Sequence, residues 1–444
     1  MEPGSHEPRL DKGTGEQLRP DASAVAWGPV KKVLFRFTFV YLLLFILPFP
    51  LEDIPGVAAV GRVYHGAWHA LVTRVGARVF GLEVVIALHN GSGDTTYKYL
   101  RALCCLAAAG AAAILWTLID RRRLNYTRLH LALTIYLRFF LASAMVFYGA
   151  LKLFPAQFPE PSLERLVEPF GDASPMGLLW TFMGASRSYN LFAGAGEVLG
   201  GLLLTSRRTT LLGALISAGI LGNVVALNYS YDVPVKLYSS TLLGIALYLV
   251  ALDWRRLANL FVLNRPTQPV VLRPPLGRKW LRYGIVLART SLVAAYVCLC
   301  LSRAYHAARS ETGPATRPPL YGIWNVETFT VDGKDRPPLL TDEGRWRRVI
   351  FDSRHLIAIH MMNDSRRHYG LEIDPSRHVF TLSTRTGRPR KTVLTYEQPE
   401  TGVLSVEGVW DGRRVRARLR RVDRAGIPLL NRGFHWISEK PFNR

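Results

Sequence analysis

Runs of about twenty apolar residues recur along the chain, long enough to cross a ~30 Å hydrocarbon core as helices. Short basic clusters punctuate them, at residues 121–123, 207–208 and 255–256. Buried helices of a soluble protein have no reason to be spaced that way, whereas basic loops fix the orientation of membrane spans. The formal net charge of +23 is therefore not the footprint of a nucleic-acid binder. No nucleic-acid motif lies among the basic clusters, and the expected partner is the lipid bilayer.

In chain order, residues 1–30 are polar, lack the apolar core of a signal peptide, and read as a disordered cytoplasmic tail. Lys31 and Lys32 precede a first span at 33–50, so the N-terminus is placed inside. Residues 56–81 are apolar at helical spacing but interrupted by His65, His69, Arg74 and Arg78, which suits a helix lying at the outer interface. His65 and His69, four apart on one face, are a spacing that can share a metal, with His89 and Asp94 following. Histidines on an interfacial helix more often sit among headgroups, and no metal site is assigned. The glycine-rich Gly91-Ser-Gly-Asp-Thr-Thr lacks the lysine of a phosphate loop and no strand precedes it. It reads as a turn with Asp94 or Thr95 capping the next helix. Further spans follow at 99–119, 129–153, 189–205, 210–229, 237–252 and 283–304, about seven in all, which puts everything after Arg303 outside.

From about Gly322 the pattern changes to short β-rich runs separated by Asp332-Gly333, Thr386-Gly387, Thr401-Gly402 and Asp411-Gly412. About eight such runs predict a closed or nearly closed antiparallel meander. Gly322-Ile-Trp324-Asn-Val326 is similar to the opening of lipocalin-type barrels. The segments 345–348 and 413–421 alternate basic and apolar residues, which predicts a wet basic face. The tail from Arg432 is expected to tuck against the barrel or seal it.

The expected fold is thus an α-helical membrane bundle plus a C-terminal antiparallel β-barrel-like domain. Its divisions are a tail at 1–30, two spans with an interfacial helix at 31–128, a four-helix unit at 129–257, a basic loop with the seventh span at 258–304, and an extracytoplasmic β domain at 305–444. The chain reads as a multi-pass protein of the bacterial inner (cytoplasmic) membrane.

Ionisable groups inside spans are costly and need a reason. Glu197 lies near the middle of the fourth span, with Ala193, Gly194, Gly200 and Gly201 on its face; small residues let another helix approach closely. Arg138 lies at comparable depth in the third span and is the expected partner. Arg289 and Asn223 complete a candidate intramembrane polar site. Tyr148, Lys152, Tyr189, Asn228, Asp232 and Lys236 fall near the outer ends of the same helices, as a candidate polar mouth. Within that mouth Lys152 is expected to snorkel to the interface. The four cysteines, Cys104, Cys105, Cys298 and Cys300, have neither disulfide nor zinc spacing and read as small apolar filler. No Ser-His-Asp, paired-carboxylate or dinucleotide signature is assembled.

The motifs YGALKLFP, GLLWTFMG, NLFAGAGEVLGGLLL, RRTTLLGAL and VPVK resemble those of the DoxX family of small membrane proteins. The resemblance covers about a quarter of the chain. It implies a four-helix membrane unit and a redox-linked activity associated with quinone or thiols. It supplies no catalytic residue. Without haem, flavin or iron–sulfur signatures, electrons have to pass through quinone, the cysteines or a redox partner subunit. The other reading is a non-catalytic binding or scaffolding protein, whose β domain holds a lipophilic small molecule or a partner.

Overall fold

A computed structural model describes residues 26–53, 56–86, 91–267, 279–312, 317–385 and 390–442. Most of the polar tail, His89 and the Thr386-Gly387 turn lie outside these residues. The helices are α1 (Pro29–Ile46), α2 (Ala58–Phe80), α3 (Thr96–Ile119), α4 (Thr127–Leu153), α5 (Pro175–Ala185), α6 (Arg187–Thr205), α7 (Thr210–Ser230), α8 (Lys236–Ala251), α9 (Trp254–Leu257), α10 (Lys279–Thr312) and α11 (Pro428–Asn431). Four of them, α3, α4, α7 and α10, are long and apolar enough to cross a membrane. A fifth candidate is α8 together with residues 254–262, bent by 70°. By the same measure of length and composition α1 and α6 are not among them: α1 carries Lys31, Lys32 and Arg36, and α6 carries Arg187, Glu197 and several glycines.

The chain divides into two compact units, one of residues 1–141 and 234–252, the other of 142–233 and 253–444. The division runs through α4. In the first unit α1 packs on α3, and Arg36 is buried between them. Its guanidinium donates to Thr117 Oγ1 at 2.7 Å, to the Asp120 carbonyl at 2.9 Å and to Tyr126 Oη at 2.7 Å. Tyr126 in turn donates to the Asp120 carboxylate at 2.9 Å. An arginine within an apolar helix is tolerable when its donors find acceptors in this way.

Local signals explain the helix ends. Thr95 Oγ1 accepts from Lys98 N at 3.3 Å and caps α3. Asp94 serves a different helix: its oxygens accept from Lys236 N at 2.7 Å and Leu237 N at 3.1 Å, at the start of α8. Ser174 with Pro175 starts α5, and Ser186 caps α6. Helix α5 is an element that the sequence pattern, read as outer loop running into a span, does not anticipate.

In the second unit, strands β1 (Gly322–Val331), β2 (Lys334–Asp335), β3 (Trp346–Ser353), β4 (Leu356–Met361), β5 (Arg366–Asp374), β6 (Val379–Thr384), β7 (Lys391–Glu397), β8 (Val403–Trp410) and β9 (Arg413–Arg421) form an antiparallel sheet. The order is β1-β3-β4-β5-β6-β7-β8-β9, and β1 pairs with β9, Asn325 opposite Arg420 and Val331 opposite Val415. The result is a closed up-and-down barrel of eight strands, with β2 a short spur on β1. Asp332-Gly333 and Asp411-Gly412 have positive φ at both residues, as the tight primed hairpin turns require.

Eight strands enclose a space that side chains can fill. Here aromatic rings cross it: Trp346 on β3 meets Trp410 on β8 at 5.0 Å between centroids, and Phe351 on β3 meets Phe380 on β6 at 5.7 Å. The lumen is a packed apolar core. The tail does not seal it: Phe434, Trp436 and Ile437 are exposed. A barrel closed by its own first and last strands and filled by its own rings leaves the tail nothing to cover. Strand β9 alternates as expected, Val415, Ala417 and Leu419 inward and Arg414, Arg416, Arg418 and Arg420 outward. Arg345 does not belong to that wet face. It is buried and donates to the carbonyls of Arg336 at 2.8 Å, Trp346 at 3.1 Å and Glu327 at 3.3 Å.

Candidate functional site

The site is built where α4 and α6 approach each other in the second unit. Gly149 on α4 and Gly194 on α6 permit the approach: a Cβ on Gly194 would lie 2.8 Å from the Gly149 carbonyl oxygen and 3.0 Å from Leu153 N. Such backbone-to-backbone contact is open only to glycine. Gly149 and Lys152 are three apart on α4, and Gly194 and Glu197 three apart on α6, so each pair shares a helix face. The glycine contact thereby brings the two charged side chains together.

Lys152 Nζ donates to Glu197 Oε1 at 2.9 Å and to Oε2 at 2.8 Å. Both residues are buried, at 7% and 4% exposure. Aromatic rings border the ammonium, Phe158 at 5.8 Å and Tyr148 at 6.0 Å from their centroids. Phe158 is backed edge-on by Trp180 of α5 at 5.0 Å. Asn190 of α6 ties this wall down, its Nδ2 donating to the carbonyls of Met183 at 3.0 Å and Phe158 at 3.3 Å. The pair is electrically neutral as a unit, and it stays neutral if the proton moves from lysine to glutamate. An apolar, aromatic surround tolerates such a pair because neither charge is left alone.

Spacing assigns Arg138 as the partner of Glu197 and leaves Lys152 at the interface. Lys152 takes both carboxylate oxygens instead. The reason is the glycine contact, which draws the end of α4 close enough for a four-carbon side chain to turn inward. Arg138 is buried on α4 in the first unit, its guanidinium 5.2 Å over the Phe139 ring. Asn223 is exposed on α7, not part of an inward polar cluster, and Arg289 is half-buried on α10.

Of the expected mouth, Tyr148 and Lys152 converge on Glu197. Asn228 is buried near the end of α7, where its carbonyl accepts from Val233 N at 2.9 Å. Tyr189 is exposed and packs against Phe182 at 5.4 Å. Asp232 is exposed in the following turn at φ 50°. Lys236 begins α8 in the first unit, held through its backbone by Asp94. Asn190 and Arg36 are buried polar residues that the sequence reading passes over. Their signal is the one used for Glu197, a polar group inside an apolar helix.

A second polar assembly joins residues 158–174 to the barrel. Leu163 packs on the outer face of β1, β3 and β4, against Ile323, Ile350 and Ala358. Its N–H donates to Asp352 at 3.2 Å. Around this contact carboxylates spaced four apart meet barrel cations. Glu160 binds Arg424 at 2.7 Å, Glu164 binds His368 at 2.8 Å and lies 3.6 Å from His360, and Glu168 and Asp172 each bind Arg366 at 2.7 Å. His360, and then His368, hold the Glu164 carboxyl below its usual range despite partial burial. Burial pushes Asp352 the other way, against the Leu163 N–H.

The four cysteines are free: Cys105 and Cys300 are buried, Cys104 is half-buried and Cys298 exposed. Among the described residues no group of three or more His, Cys, Asp or Glu could hold a metal ion.

No protein-family model matches the chain. It is 36% identical over 126 residues to the "Uncharacterized protein YwoB" of Bacillus subtilis (strain 168), an alignment covering 28% of this chain and 79% of that protein. No solved structure matches.

Proposed function

This chain belongs to the family of Bacillus subtilis YwoB, and from its own residues we propose that it is a redox-linked component of the bacterial cytoplasmic membrane. In this reading about seven helices span the bilayer, the N-terminus is inside, and the β-barrel lies outside. The sequence segment from α4 to α8 is DoxX-like, as the motifs around Tyr148, Gly149 and Glu197 suggest. The apolar helices α3, α4, α7 and α10 support the membrane assignment. The basic clusters that follow alternate spans support the orientation.

The observation that carries the functional reading is the buried Lys152–Glu197 pair, walled by Tyr148 and Phe158. A quinone that takes up two electrons also takes up two protons. The neutral, buried Lys–Glu pair holds one transferable proton, and giving it up leaves the pair at −1, so it relays each of the two protons only as another enters from water. The flanking rings offer a flat aromatic edge of the kind a quinone ring packs on. Electrons come from a redox partner subunit or a thiol donor, and the protein's own part is to bind and to supply protons.

The test is a titration of the detergent-solubilised protein with a short-chain benzoquinone and naphthoquinone, read by tryptophan fluorescence. Saturable quenching that weakens at least tenfold in Glu197→Gln supports the reading. Quenching that is linear, or identical in wild type and variant, contradicts it.

A further inference from the structure

The first unit contains a cleft of about 360 Å³ between α2 and the start of α3. Its walls include His65, His69, Ser92, Tyr97, Lys98 and Arg101. Four of these six are cationic or can become so, and no carboxylate is among the lining residues. Of the acids around it, Asp94 is turned to another helix, capping α8 with both oxygens, and Glu52 pairs with one wall residue, His65, at 3.1 Å. No ion pair of Lys98 or Arg101 occurs among the described residues. Arg101 instead lies over aromatic rings, 5.5 Å from the Trp68 centroid and 5.8 Å from that of Tyr64.

Two further observations point to a ligand. Tyr97 is 6% exposed, yet its hydroxyl has no hydrogen-bond partner among the described residues. A buried hydroxyl without a partner is costly. The cleft also lies at the N-terminus of α3, a helix of 24 residues, where the helix dipole favours an anion. The positive field is felt by His69, which burial first, and then His65, Arg101 and Lys98, push below its ordinary value.

We propose that this cleft binds the phosphate group of an anionic ligand, with Lys98 and Arg101 as its principal contacts. Ser92 and Gly93 of the preceding turn line its edge, and the cations come from the first turns of α3. The two basic residues are three apart, so they stand on one face and can grip one phosphate from the same side. The phosphate belongs either to a lipid headgroup at the membrane surface or to a free phosphate ester.

Native mass spectrometry of the full chain in neutral detergent tests this, with sn-glycerol 3-phosphate, short-chain phosphatidylglycerol and short-chain phosphatidylcholine as probes. Saturable binding of either of the first two, at least tenfold tighter than phosphatidylcholine and weakened at least tenfold in Lys98→Gln/Arg101→Gln, is the expected result. Binding of phosphatidylglycerol alone identifies a lipid headgroup, and binding of glycerol phosphate alone or of both identifies the phosphate ester itself as sufficient. If the wild type prefers neither to phosphatidylcholine, the proposal is overturned whatever the variants do. It is also overturned if a folded Lys98→Gln/Arg101→Gln protein, checked by circular dichroism, binds as the wild type does. Should that variant not fold, His69→Gln and Lys98→Gln singly replace it, with at least threefold weakening expected in Lys98→Gln and equality with wild type in both contradicting the proposal.

Discussion

Lys152 reaches across from α4 to give both oxygens of Glu197 a hydrogen bond, at 2.9 and 2.8 Å, with neither side chain more than 8% exposed. Removing one partner leaves the other charge buried and alone. Glu197→Gln or Lys152→Met singly is expected to destabilise the protein by about 3–5 kcal/mol, while the double change recovers most of the loss. Thermal unfolding in detergent for the four proteins closes the cycle. Additive losses would show that the two residues do not act as a pair.

The glycine contact that positions the pair makes its own prediction. At Gly194 a methyl would press on the Gly149 carbonyl, a backbone atom with no way to yield. Gly194→Ala is expected to cost about 1–3 kcal/mol through overpacking. Gly219 and Gly222 on α7 have nothing within 4 Å of an added Cβ. Gly219→Ala and Gly222→Ala are expected to be neutral or stabilising by about 0.5–1 kcal/mol, since alanine is the better helix former. Equal effects at all three positions would mean that α4 and α6 are not in close contact.

The clamp between residues 158–174 and the barrel is expected to loosen in acid. Glu164 is held below its ordinary value of 4.5, so its contribution is complete above that pH and is lost as the pH falls through the lower, folded value. The groups facing it are His360 on β4 and His368 on β5; Glu168 and Asp172 face Arg366 nearby. Asp352, raised by burial, opposes the trend by favouring the folded state as it gains a proton. Hydrogen exchange of residues 158–174 at pH 7 and about pH 2.5 should show protection falling with acid in the wild type. In Glu164→Gln protection should be lower at pH 7 and less dependent on pH. A wild-type segment equally protected at both pH values would contradict the clamp.

The orientation is checked by a reporter fused after Arg444. Extracytoplasmic activity is expected. Cytoplasmic activity would place the barrel inside and change the number of spans.

What could be read from the sequence follows from how each element is buried. The barrel was legible because β9 and its neighbours have one wet face, so Val415, Ala417 and Leu419 alternate with arginines, and Asp-Gly pairs mark two turns. Strands β3 and β4 hide a second relationship. Their apolar runs are continuous because residues 158–167 cover their outer face, but nothing in VIF or LIAI names the covering segment. Glu197 stood out as a carboxylate in an apolar helix. Its partner did not, because Lys152 sits near a helix end, where snorkelling is the ordinary explanation. Choosing between Arg138 and Lys152 needed the helix separation, which Gly149 and Gly194 set in three dimensions. Asp94 likewise reads as a local cap, and its true role lies over a hundred residues away at Lys236. Helix α5 is not legible in the sequence, because its proline and short length resemble loop.

The central claim, that the Lys152–Glu197 pair serves a bound quinone, is tested most directly by mass spectrometry of the lipophilic molecules that co-purify with the protein in detergent. The account predicts a quinone near one per chain in the wild type and its loss from folded Glu197→Gln and Lys152→Met. A wild-type protein that carries no quinone, or variants that carry as much as the wild type, would contradict it.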